Sequence, residues 1–168
     1  MIGDKLFDCQ EMFRHACAFA ETADLATGKF EHDTADISWY TTPAAVNSAF
    51  ACEVYLKALL NFYDIEQPKK HKLRDLYDLL PEKEREFVKG STINQTGRWT
   101  NLWGCELLDN ISEAFVKWRY IFERDWNKEG SVIMETSFLT AFRNSFREAC
   151  CQLFFGMTWE KYKTNINF

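Results

Sequence analysis

The chain has 168 residues, the length of one domain, and a chain of that size buries about two-thirds of its unfolded surface without covalent staples. Hydrophobic residues make up 46% and aromatic residues 16%, which excludes a disordered chain, and seven glycines with three prolines leave little room for a turn-rich β fold. The formal net charge of −5 excludes a surface that attracts nucleic acid everywhere, so any such contact needs a local basic patch.

Residues 4–27 read as a first helix, with Asp4 as its N-cap, an apolar stripe through Leu6, Phe13, Ala16, Ala20 and Ala23, and Gly28 as the stop. Residues 29–41 are polar and irregular and read as a loop. A second helix is expected over about 43–63, with Thr42 as cap and Pro43 at the first helical position. Its run AAVNSAFACEVYLKALLNFY carries only Glu53 and Lys57 as charges, and that central pair argues against a membrane span. A helix apolar on most sides is the middle helix of a bundle. Glu53, Lys57 and Asn61, at i, i+4 and i+8, share one narrow polar stripe.

A basic loop around Pro68 follows, then a short helix with Leu73, Leu76, Tyr77 and Leu80 at helical spacing. Pro81 starts the next segment, EKEREFVKG, which should end at Gly90, and residues 91–103 read as a second loop in which Trp99 and Trp103 imply some packing. Two further helices are expected. One covers about 104–127, with Leu108, Ile111, Phe115, Trp118 and Phe122 inward. The other covers about 131–155, from a Ser131 cap to a Gly156 stop, with Phe138, Phe142, Phe146, Ala149 and Leu153 inward. Residues 157–168 read as a tail. No β-alternation lasts beyond three or four residues, so the expected fold is all-α: one domain over 1–156, a four- to five-helix bundle.

Cys9, Cys17, Cys52, Cys105, Cys150 and Cys151 include no C-x-x-C pair, and His15, His32 and His71 stand at no ligand spacing with them. Reduced, structural thiols are expected, with no metal and no cofactor. Asp4, Lys5 and Asp8 occupy the first turn where a leader needs an apolar run, which points to a cytoplasmic protein with no membrane contact.

Two places could carry chemistry. Arg119 lies about 20° from Leu108 on a helical wheel, at the border of the buried face. There it either snorkels to Glu123 or Glu53 or offers its guanidinium to a phosphate. Lys69, Lys70, Lys72 and Arg74 surround His71 where a helix begins, so the loop is either simply solvated or a phosphate contact. Glu53 and Lys57 are either an intrahelical ion pair or part of the same site.

The order of NSAFACEVYLKALLNFY, a basic loop, HKLRDLYDLLPE and ISEAFVKWRYIFE resembles the HEPN family (higher eukaryote and prokaryote nucleotide-binding domains) over about residues 44–125. The matching residues are Glu53, Lys57, His71, Leu73, Leu76 and the pair Arg119-Tyr120. The resemblance implies a helical bundle, often a two-fold homodimer, that handles RNA or nucleotides. Many members cleave RNA without metal, using an arginine and a histidine with four to six residues between them. Imidazole exchanges a proton near neutral pH, and guanidinium steadies charge on a pentavalent phosphate. Here Arg124, Asp125 and Trp126 occupy that window after Arg119, Arg143 has Glu148 and Ala149 in its own, and Arg14 is directly followed by His15. The expectation is therefore a non-catalytic module binding RNA, a nucleotide or a protein partner. The alternatives are a ribonuclease of the toxin or phage-defence kind whose histidine comes from elsewhere, such as His71, and an antitoxin-like structural subunit.

Overall fold

The computed structural model describes residues 2–30, 37–67, 69, 71–97, 107–112, 114–123 and 135–165. Among these the fold is entirely helical: α1 (Ile2–Phe30), α2 (Ile37–Phe62), α3 (Leu73–Tyr77), α4 (Glu82–Thr96), α5 (Leu108–Ser112), α6 (Ala114–Arg119), a 3-10 turn (Ile121–Glu123), α7 (Thr136–Phe155) and α8 (Trp159–Asn165). No described helix is long and apolar enough to cross a membrane.

The middle of the bundle is α2. From Ala51 to Leu60 only Val54 and Lys57 escape full burial, because α1, α3, α6 and α7 all lie against it. The facing stripes obey the helical period: Cys9, Phe13, Ala16 and Ala20 on α1, and Phe138, Phe142, Phe146 and Ala149 on α7. The small residues on α1 and α2 let those two long helices approach closely along their length. On α7 the rings of Phe142 and Phe146 pack against Tyr77 of α3, and α4 lies along the same helix. There Thr92 Oγ1 donates to Val88 O and lies 3.0 Å from Ser145 Oγ, so the polar atoms at that contact are satisfied.

Several expected boundaries move. Helix α1 continues through Gly28 to Phe30, and Asp4 sits inside its first turn rather than capping it. A Cβ at Gly28 would meet nothing within 4 Å, so nothing at that position demands a stop. Helix α2 begins at Ile37, which puts Pro43 inside the helix and removes Thr42 as a cap. Pro43 has no N–H to give, but its carbonyl accepts from Asn47 Nδ2 at 2.8 Å. Helix α4 starts after Pro81 and runs past Gly90 to Thr96, so 91–96 is helix rather than loop. Its end comes at Gly97, where φ is +64° and the N–H returns to Ile93 O at 2.8 Å, the left-handed stop that favours glycine. Gly156 ends α7 in the same way, with φ +65°.

In the expected helix over 104–127, α-helical geometry gives way at Arg119, followed by a turn at Tyr120 and the 3-10 turn. The bulky run Trp118 to Phe122 has poor helix propensity, and Arg119 folds onto ring faces on both sides of it. Residues 98–106 and 124–134, with Trp99, Trp103 and the Ser131 cap, lie outside the described residues. The segment after Gly156 is more than a tail: α8 buries Trp159 and Tyr162 against the core.

Candidate functional site

Glu53 is 1% exposed on the central helix, a position that an ionised carboxylate holds only with partners. Its Oε1 receives two. Lys57 Nζ, one turn on, lies 2.6 Å away, and His71 Nδ1 reaches in from the basic loop at 2.8 Å. Oε2 is buried without a hydrogen-bond partner. Gln67 Nε2 also donates to Lys57 O at 3.0 Å, so the loop after α2 is tied back to α2 at two points. A carboxylate only accepts, so His71 donates from Nδ1. The lone pair of the neutral ring then sits on Nε2, on a side chain 56% exposed.

The His71 ring centroid is 6.2 Å from that of Phe115, which stacks at 4.9 Å on Phe50 of α2. Phe50 meets Phe19 of α1 edge-on at 4.5 Å, so an aromatic chain fixes the Phe115 ring from the inside. Arg119 lies one turn beyond Phe115 on α6. Its Cζ stands 4.8 Å from the Phe115 ring centroid and 4.6 Å from that of Tyr120, and its Nη2 donates to Tyr120 Oη at 2.7 Å. Arg119 is exposed and, among the described residues, forms no ion pair with Glu53 or Glu123. Stacking against two rings takes the place of the expected carboxylate. Tyr120 keeps 43% of its surface in water. Histidine and arginine, from a loop and a helix end far apart in sequence, thus meet around one ring, and Tyr120 joins them through Arg119.

The remaining predicted residues divide. Arg74 is committed to acids, with Nη1 3.1 Å from Asp109 Oδ1 and Nε 3.4 Å from Asp78 Oδ2. The start of α3, expected to greet a phosphate, is a single helical turn whose Arg74 N–H donates to Ser112 Oγ at 3.0 Å. Lys69 and Lys72 are exposed, and Lys70 lies outside the described residues.

A second polar cluster escaped sequence reasoning. Arg143 on α7 is 1% exposed. Its Nη2 lies 2.5 Å from Asp24 Oδ1, and its Nη1 donates to Ser48 Oγ at 2.9 Å and to Ala20 O at 3.2 Å. This cation ties three helices together. Its partners on α1 and α2 lie 95 and more positions away in sequence, so no local spacing announces them. The five described cysteines, Cys9, Cys17, Cys52, Cys150 and Cys151, are buried free thiols, and no described group of histidines, cysteines and carboxylates is placed to hold a metal. Burial pushes the Cys17 thiol up to about 11 and the Cys52 thiol up to about 12, far from any reactive range.

Comparison of the chain with protein-family models, with curated proteins and with solved structures finds no match.

Proposed function

We propose that this chain is a HEPN-like helical module that binds single-stranded RNA or a nucleotide on the surface around Phe115, as a homodimer. The observation that carries the reading is Arg119, held over the rings of Phe115 and Tyr120 and, among the described residues, paired with no carboxylate. A guanidinium fixed this way keeps N–H groups for a phosphate, and the open Tyr120 ring offers a face on which a base can stack. His71, anchored by Glu53, adds a second nitrogen beside the same ring. Lys69 and Lys72 supply the local positive field that a chain of net charge −5 lacks elsewhere.

The test is fluorescence anisotropy with a labelled single-stranded RNA 12-mer at low salt. Arg119→Ala is expected to weaken binding by about tenfold, and Tyr120→Ala by a similar factor, the loss of one base stack. Tight binding unchanged in both variants, or none in the parent, sinks the reading.

One observation favours cleavage as a second reading. Glu53 holds His71 by Nδ1 at 2.8 Å, which leaves Nε2 of a half-exposed ring for proton transfer, the arrangement of a general base held by a buried acid. Running the same RNA on a denaturing gel without added metal separates the two. Products from the parent that vanish in both His71→Gln and Arg119→Ala identify a ribonuclease, and intact RNA in all three leaves a binding protein.

A further inference from the structure

Ser48 and Phe50 project from α2 in directions roughly 160° apart, so the helix that supports the Phe115 surface on one side faces something different on the other. That other side is the wall of a cleft of about 560 Å³, where the end of α1, the start of α2, the end of α4 and the start of α7 meet. The volume falls within the range of small-molecule sites. No charged side chain and no aromatic ring lines it among the described residues. On the α2 side Ala44, Ala45 and Ser48 open the space. On the α7 side Thr136, Thr140 and Asn144, at i, i+4 and i+8, present a polar stripe to it.

The hydrogen bonds already made decide what each group has left to offer. Thr27 Oγ1 donates to Ala23 O at 2.9 Å and Thr96 Oγ1 to Thr92 O at 3.0 Å, so both hydroxyls keep only lone pairs. Gln95 Nε2 is spent on Ser91 Oγ and Ser145 Oγ, which leaves its carbonyl oxygen. The α1 and α4 walls therefore accept. On α7 the order reverses. Asn144 Oδ1 takes N–H groups from Arg147 at 3.0 Å and Arg143 at 3.4 Å, so its amide nitrogen is the half left to donate. Ser48, buried at the base, accepts from Arg143 and keeps its own proton. Thr136, Ser137 and Thr140 engage no partner among the described residues.

We infer that this cleft is a binding site for a neutral polyhydroxylated small molecule of about sugar size. Hydroxyl groups both donate and accept, so one such ligand satisfies the accepting and the donating walls together. The described lining offers a charged ligand no counter-charge and a nucleobase no ring to stack on. The site is independent of the surface around Phe115.

Ligand-observed saturation-transfer NMR on the full chain tests the inference, with myo-inositol and glucose as neutral probes, glucose 6-phosphate as the charged counterpart and adenosine as the aromatic one. Transfer is expected to both neutral polyols and to exceed that to the other two probes. Ser137→Trp, an exposed helix position on the rim, should abolish it. Thr140→Val keeps the side-chain shape, removes one hydroxyl and should weaken binding about fivefold. Arg119→Ala should leave it unchanged. No transfer to either polyol, transfer that survives Ser137→Trp, or stronger transfer to glucose 6-phosphate than to glucose would each overturn the proposal.

Discussion

The Asp24 carboxylate and the Arg143 guanidinium are unequal partners, since Asp24 keeps 50% of its side-chain surface in water while Arg143 keeps 2%. Removing one or the other therefore has different consequences. Asp24→Ala leaves a buried guanidinium with only Ser48 Oγ, Ala20 O and a long contact to Asn144. That substitution should cost about 3 kcal/mol in urea denaturation, the range for breaking a buried pair from its exposed end. Arg143→Met replaces the charge with an apolar chain of similar length and lets Asp24 rehydrate, so it should cost about 1–2 kcal/mol. The double variant should be more stable than Asp24→Ala alone. If Asp24→Ala proves the milder change, the carboxylate is not what makes the buried cation tolerable.

Among the elements, α8 joins the core through very few residues. Its seven residues place Trp159 and Tyr162 on the ring of Phe13, and Arg147 lies over Trp159 with Cζ 4.4 Å from the ring centroid. Glu148 Oε2 accepts the Trp159 N–H at 2.9 Å, which fixes where the helix starts. Trp159→Ala should therefore destabilise the fold by roughly 3 kcal/mol, seen as a lower urea midpoint with an unchanged slope. A loss under about 1 kcal/mol would mean that α8 is docked without contributing to the core. Such an element is hard to read from sequence, because seven residues with two aromatics show too little periodicity to exceed a polar background. Long stripes were legible: Phe13 to Ala20 on α1 and Phe138 to Ala149 on α7 point inward as their spacing requires. The glycine at 156 stops its helix and the glycines at 28 and 90 do not, and only the first takes a left-handed φ. At the candidate site, Glu53 and Lys57 were legible as an i, i+4 pair. The arrival of His71 on that pair, and of Arg119 beside the same ring, depends on how a loop and a helix end pack across α2. Local spacing holds no record of that packing.

At the scale of the whole molecule, the buried thiols make stability depend on alkaline pH. Burial raises the pKa of Cys9, Cys17, Cys52, Cys150 and Cys151 above the ordinary 9.0. Between about pH 9 and the folded values the native state keeps these protons while the unfolded chain releases them. The unfolded state then binds fewer protons, so stability falls as pH rises through that window and is unaffected by these groups below it. A thiol whose folded value lies far above the unfolded one, such as Cys17 or Cys52, contributes at most about 1.4 kcal/mol per pH unit within that window. Urea titrations at intervals from about pH 8 to pH 10.5 should show a steep decline, and Cys52→Ala should flatten it by one thiol's share, whatever it does to stability at pH 7. An identical slope in the variant would place the alkaline sensitivity elsewhere, in the buried tyrosines.

Phe13 has one further consequence, for biosynthesis. Its ring is enclosed by Phe154, Phe155, Trp159 and Tyr162, and nearby Gln10 donates from Nε2 to Phe154 O, 144 positions away. A nascent chain therefore emerges with α1 apolar on one face and its covering still unmade. At roughly 5–20 residues per second that interval lasts on the order of ten seconds. During it the α1 stripe is a target for holding chaperones, and the core closes only when α7 and α8 leave the ribosome.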